Sequence, residues 1–212
     1  MTRSIFFLLA VVATTAFAER PAGFVGIKWA SSPEEAKRTM QARPGVKFGE
    51  STDDYRFDLT GGMFAGQVVA KWVLEFPDRK FALASATLKT EGNAESLYKE
   101  FRTQLSAKYG PSVSSKKLST AKGNSGARPP QPQPAQNQYG NISIWRFAPS
   151  LKEKTAVSIT LELAGPGGKA TTNQNDLILT IRYENETLTE AAEKNSGTGT
   201  PAGKSKLNKD DL

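Results

Sequence analysis

Apolar and polar residues alternate over several stretches of the chain, and the period of that alternation assigns the elements. Tyr55, Phe57 and Leu59 alternate with Asp54, Arg56 and Asp58. After Gly61 and Gly62, the residues Val68, Ala70, Trp72, Leu74 and Phe76 alternate with Val69, Lys71, Val73 and Glu75. A period of two predicts strands with one buried and one wet face. Pro77 to Lys80 reads as a tight turn into a third strand, Phe81 to Leu88, so the second and third strands should form an antiparallel hairpin. Three later strands follow the same rule, the first marked by Ile142, Ile144, Trp145 and Phe147. In the second, Val157, Ile159, Leu161 and Leu163 alternate with Ser158, Thr160 and Glu162; in the third, Leu177, Leu179, Ile181 and Tyr183 alternate with Ile178, Thr180, Arg182 and Glu184.

Helical spacing appears twice. Ser32, Pro33 and Glu35 form a capping box, with serine as N-cap, proline at the first helical position and glutamate three residues after the cap; Pro44-Gly45 ends that helix near Gln41 or Ala42. The second helix is capped by Asn93, carries Leu97, Phe101 and Leu105 four apart with Tyr98 beside them, and stops at Tyr109-Gly110-Pro111. The element order, (β)αβββαβββ, predicts an α+β domain: an antiparallel sheet of about six strands with two helices on one face. It also reads as a loose internal duplication of a helix-plus-three-strand unit. The domain should span residues 19–188, interrupted at 112–140 by a Ser/Gly/Pro/Gln-rich connector whose Arg128 to Pro134 run favours extended polyproline-like chain. Residues 189–212, small, polar and charged, read as a disordered tail. Two subdomains split at the connector are the alternative.

The N-terminus changes the compartment. Arg3 precedes an apolar run of about ten residues that ends at Ala16-Phe17-Ala18, a small-x-small cleavage pattern. A membrane-spanning helix needs about twenty. Residues 1–18 therefore read as a signal peptide, which makes the protein periplasmic or secreted. Sequons at Asn141-Ile-Ser143 and Asn185-Glu-Thr187, with the terminal Lys209-Asp-Asp-Leu212, give the endoplasmic reticulum lumen as the alternative. Paired cysteines, the usual trace of that compartment in a small protein, are absent from the sequence.

Composition narrows the chemistry. The 212 residues include no Cys and no His, which excludes disulfides, thiol nucleophiles, thiolate zinc sites and imidazole catalysis or ligation. Lys and Arg exceed Asp and Glu by 28 to 21. Much of that excess sits in Lys116, Lys117, Lys122 and Arg128 of the connector, so no basic face interleaved with stacking aromatics is offered to nucleic acid.

Gly26-Ile-Lys-Trp29-Ala-Ser-Ser-Pro-Glu-Glu35, Gly61-Gly-Met-Phe-Ala-Gly66 and Lys108-Tyr-Gly-Pro111 together resemble a broad group of small exported bacterial domains. Those begin with a Gly-x-x-Trp-Gly-x-Ser-Pro-Glu-Glu-like helix start, continue through a hairpin and end their second helix in Lys-Tyr-Gly-x-Pro. Ala30 stands where the group usually has glycine, and Pro111 follows Gly110 directly. The likeness spans most of residues 23–184. It implies fold and export, and it carries over no functional residue.

Candidate sites are sparse. Asp53, Asp54 and Asp58 form the nearest approach to a carboxylate cluster for acid/base or glycosidic work, but alternation puts Asp54, Arg56 and Asp58 on a wet strand face with a neutralising arginine between them. Asn173 to Asp176 lacks the acidic spacing of a calcium loop. Gly61 to Gly66 is a turn, since no Lys-Ser/Thr and no helix follows it. Trp29, Trp72 and Trp145 are candidates for a ligand groove; the strand face of Trp72 argues for core, and Trp29 reads as a lid on the first helix start. No catalytic, metal or cofactor-binding residue is assigned. The expected function is a non-enzymatic exported module that binds another envelope protein or polymer. The alternatives are a carrier of a small apolar ligand held between sheet and helices, and a carboxylate-dependent hydrolase.

Overall fold

The computed structural model describes residues 19–50, 55–118, 139–150 and 154–195. Residues 1–18, read above as a signal peptide, with Asp53, Asp54, residues 119–138 of the expected connector and residues 196–212 of the expected tail, lie outside the described residues.

The short strands β1 (Gly23–Phe24) and β2 (Ile27–Lys28) form a hairpin ahead of the first helix, α1 (Pro33–Gln41). Both arms of the predicted capping box are made: the Glu35 amide donates to Ser32 Oγ at 3.3 Å, and the Ser32 amide donates to Glu35 Oε2 at 3.1 Å. Ser32→Ala should cost about 1 kcal/mol, read as a lower urea midpoint at unchanged slope. Ala30, at the position where the resembling domains carry glycine, has φ 65°, a left-handed conformation that glycine adopts without steric cost.

The first meander comprises β3 (Val46–Phe48), β4 (Arg56–Gly61), β5 (Met63–Phe64), β6 (Gln67–Glu75) and β7 (Leu83–Leu88). Helix α2 (Ala94–Tyr109) follows, burying Leu97, Tyr98, Phe101, Leu105 and Tyr109 as the spacing predicts. Asn93 makes no side-chain capping bond, and Gly110 at φ 83° ends the helix. The second meander is β8 (Ser114–Lys117), β9 (Asn141–Phe147), β10 (Val157–Ala164) and β11 (Ile178–Asn185), and α3 (Glu186–Asn195) closes the described chain.

The fold is α+β, with one large antiparallel sheet in the order β3-β4-β6-β7-β11-β10-β9-β8 and β5 pairing β6 off this path. Each half is a helix followed by a meander, and the two meanders join through their last strands, β7 and β11. Each half is thus larger than the expected unit of a helix and three strands. Inward residues of the sheet, among them Leu59, Trp72, Leu74, Ile159, Leu161, Leu179 and Ile181, share one core with Ala36 and Met40 of α1 and the apolar side of α2. The opposite face carries Thr87, Thr160, Thr180, Arg182 and Glu184, all half-buried.

Four expectations need correction. The described residues contain eleven strands and three helices rather than about six and two. Several of the additional strands are two to four residues long, too short to show a period. The connector does not begin at 112: Ser114 to Lys117 forms the edge strand β8 on β9, and its Lys116 and Lys117 put charge on the exposed edge. Residues 189–195, assigned to a disordered tail, belong to α3, which packs on β10, β11 and the turn at 77–79, with Asn195 donating to Asp78 at 3.0 Å. Finally, the strict alternation over 68–76 breaks at a β-bulge between Val69 and Lys71, which reverses which residues face the core. Val69 is therefore buried with Trp72, while Val68 is 46% exposed.

The sequons also acquire a structural reading. Asn185 is fully buried, and its Oδ1 accepts from the Leu188 amide, which caps α3. A side chain so placed is inaccessible to a glycosyl carrier in the folded protein. Asn141 lies in β9, paired on both sides.

Candidate binding cleft

Two hairpin turns stand against α2. In the first, Val25 and Gly26 join β1 to β2; in the second, Ala65 and Gly66 join β5 to β6. All four have positive φ, at 44°, 92°, 46° and 82°, the pattern of a type I′ turn. Such turns favour Asn, Asp or Gly at the first position, and a β-branched residue there is a genuine outlier. The Val69/Lys71 bulge lies just beyond the second turn, and bulges of this kind bend their strand.

Between the turns and the helix lies a cleft of about 580 Å³, within the range of small-molecule sites. Phe64 of β5 bridges its walls: its ring stacks on Phe24 of β1 at 5.5 Å and on Phe101 of α2 at 6.1 Å. Leu105 and Ile27 add aliphatic surface. Tyr183 from β11 and Tyr109 from the last turn of α2 also line it. Burial, and then Tyr109 beside it, push the Tyr183 phenol up, so it stays protonated across physiological pH.

The mouth is charged. Glu19, Arg20, Lys28 and Lys108 all border it. Lys108 reaches Glu19 at 3.5 Å and lies 5.3 Å from the centre of the Tyr109 ring. Tyr109 first, opposed by partial desolvation and helped by Glu19, raises the Lys108 ammonium, which is therefore fully charged at neutral pH. Arg20 is turned to the second meander's side, donating to the Ala148 carbonyl at 2.8 Å and to Thr155 Oγ1 at 3.3 Å.

The three tryptophans do not line this cleft. Trp72 and Trp145 are core, and their indole N–H groups donate to the carbonyls of Gly61 at 2.7 Å and Gly110 at 2.9 Å. Trp29 is half-buried, stacks on Phe81 at 5.3 Å and donates to the Pro21 carbonyl at 2.8 Å, so it ties the segment ahead of β1 to the stretch just before β7. Gly61 to Gly66 is indeed a turn region, though it includes β5. Asn173 to Asp176 forms a 3-10 turn, with Asn173 Oδ1 accepting from the Asn175 amide.

Of the carboxylate cluster, only Asp58 can be placed. It sits on the outer sheet face between Arg56 at 3.3 Å and Lys71 at 3.3 Å. Slight desolvation raises its carboxyl, but the hydrogen bonds and charges of Arg56 and Lys71 outweigh that and hold it below its ordinary value. A group held ionised in this way is a poor proton donor. Because the folded value is depressed, the pairing stabilises the protein above the ordinary carboxylate range and stops doing so as pH falls through the depressed value. Both cations are about half exposed, so the expected size is modest. Asp58→Asn should cost about 0.5 kcal/mol near neutral pH, and its unfolding curve should merge with that of the parent in strong acid.

The cleft is not legible in the sequence. There Phe101 and Leu105 read as part of the apolar stripe of a helix and Tyr109 as part of its stop. A signal was present in the turns: Phe24-Val25-Gly26 and Phe64-Ala65-Gly66 put apolar residues where turn chemistry calls for polar ones. No family model, curated protein or solved structure matches the chain.

Proposed function

We propose that the protein is a non-enzymatic binding module of the bacterial cell envelope, periplasmic or secreted, that carries a small, largely apolar ligand in the cleft between α2 and the two left-handed turns. One observation carries this reading: a cleft of about 580 Å³ with Phe24, Phe64 and Phe101 as its walls. A cavity of that size and lining suits a ligand that buries most of its apolar surface and fixes its orientation with few polar contacts. Binding of an envelope protein by strand addition is less well supported, because the β8 edge presents Lys116 and Lys117 to an incoming strand. No helix among the described residues is long and apolar enough to cross a membrane.

The test is native mass spectrometry of protein purified from its own envelope without detergent, paired with titration of phenylnaphthylamine, a neutral fluorescent probe. A bound small molecule lost on denaturation, or saturable probe binding at one site, supports the reading. An empty protein in every preparation that also ignores the probe overturns it.

A further inference from the structure

We propose that the ligand of this cleft is an anionic amphiphile whose single negative headgroup rests at the mouth near Lys28 and Lys108 and whose apolar body lies between Phe24, Phe64 and Phe101. This rests on reading the cleft as a binding site and adds to it the charge and orientation of the ligand. The first ground is the distribution of charge. The lining holds three cations, Arg20, Lys28 and Lys108, against one carboxylate, Glu19, and all four belong to the N-terminal segment or the last turns of α2. The rest of the lining is mostly apolar and aromatic, with Gln104 and the Tyr109 and Tyr183 phenols as its other polar side chains. An ammonium has three donors, so Lys108, with Glu19 on one side, retains capacity for a second anion. The positive mouth and apolar interior match a ligand with one charged end. They do not match a cation or a zwitterion.

The second ground is independent of charge. Val25 and Ala65 hold left-handed conformations at the two lips, and each such residue costs of order 1–3 kcal/mol when its type does not favour that region. Asparagine or glycine at either position would relieve the strain and leave the hairpin intact. What they would not preserve is an apolar lip. Val25 packs against the core and lines the cleft, so strain at this turn keeps hydrocarbon in the path of the ligand's body. Fatty acyl and aromatic carboxylates, sulfonates and monoester phosphates share the required chemistry, and the competition below separates acyl from aromatic sources.

The experiment compares two probes with one ring system, neutral phenylnaphthylamine and its anionic relative anilinonaphthalene sulfonate, on the intact protein. The sulfonate should bind about tenfold tighter, as expected for a headgroup near two partly exposed cations, and the preference should shrink as salt is raised. The double variant Lys28→Gln/Lys108→Gln should bring the two affinities within about twofold without weakening the neutral probe, while Lys80→Gln, remote from the cleft, should change neither. Val25→Asn should raise the thermal midpoint by about 3 °C and weaken both probes. Displacement by dodecanoate but not dodecanol identifies an acyl carboxylate; displacement by naphthoate alone identifies an aromatic one. Equal binding of the two probes by the parent, or a preference that survives in the double variant, overturns the charge assignment and leaves the apolar cleft standing. Failure of both probes to bind overturns the cleft reading as well.

Discussion

Replacing Trp72 by alanine should lower the folding free energy by about 3–5 kcal/mol, the largest single effect expected in this chain. The indole is fully buried and meets Phe24 at 5.9 Å and Phe64 at 6.1 Å between ring centres. Arg43 lies over its face at 5.8 Å. Its N–H also satisfies the Gly61 carbonyl, at a corner where Gly61 has φ 74° and a Cβ would run into the Gly45 carbonyl. Truncation therefore opens a cavity, removes the aromatic backing of the cleft and leaves a partly buried carbonyl without its donor. Trp72→Phe goes far to separate these terms, since it keeps much of the ring volume while losing the N–H. It should cost about 1–3 kcal/mol. Urea unfolding of both variants measures the difference: equal losses would mean that the cavity adds nothing to the lost hydrogen bond, and an unchanged midpoint in Trp72→Phe would mean that the hydrogen bond contributes nothing.

Gly23→Ala should remove binding in the cleft. A Cβ on Gly23 would fall on the Ile27 carbonyl oxygen across the β1–β2 hairpin, and that oxygen is backbone with no side-chain freedom to yield. The hairpin must open, carrying Phe24 away from Phe64 and Tyr183. The affinity of the neutral probe should drop more than about tenfold, the effect of misplacing one wall of a preformed site. Global stability should fall less than in Trp72→Ala, because the hairpin pairs only with itself and stands outside the main sheet. Side-by-side urea titrations and probe titrations of the two variants check the ordering. Binding that survives in Gly23→Ala would place the probe elsewhere.

Elements whose signals are local were legible in the sequence. Ser32 and Glu35 define the start of α1 because both arms of the box are made within three residues. The alternation of β10 and β11 holds because those strands pair in register along their full length, with one face in the core. What escaped was decided by contacts distant in sequence. Ala70 becomes the extra residue of a bulge only because Val69 pairs with Leu88 and Lys71 with Thr87, a relation no window around residue 70 contains. Ser114 to Lys117 has neither alternation nor apolar content and becomes a strand because β9 offers it a ladder. Residues 189–195 look like tail, yet they belong to a helix that the buried Asn185 caps and Ala192 anchors. The cleft is the extreme case. Its walls come from residues near 24, 64, 101 and 183, each of which reads alone as ordinary core.

The most direct test of a ligand cleft between α2 and the two left-handed turns is a two-dimensional NMR titration of the nitrogen-labelled protein with phenylnaphthylamine. The account predicts that the amides of Phe24 to Lys28, Phe64, Ala65, Phe101, Leu105 and Tyr109 shift together and saturate at one equivalent. Shifts confined to the outer sheet face around Thr87, Thr160 and Thr180, or a spectrum that does not change, would contradict it.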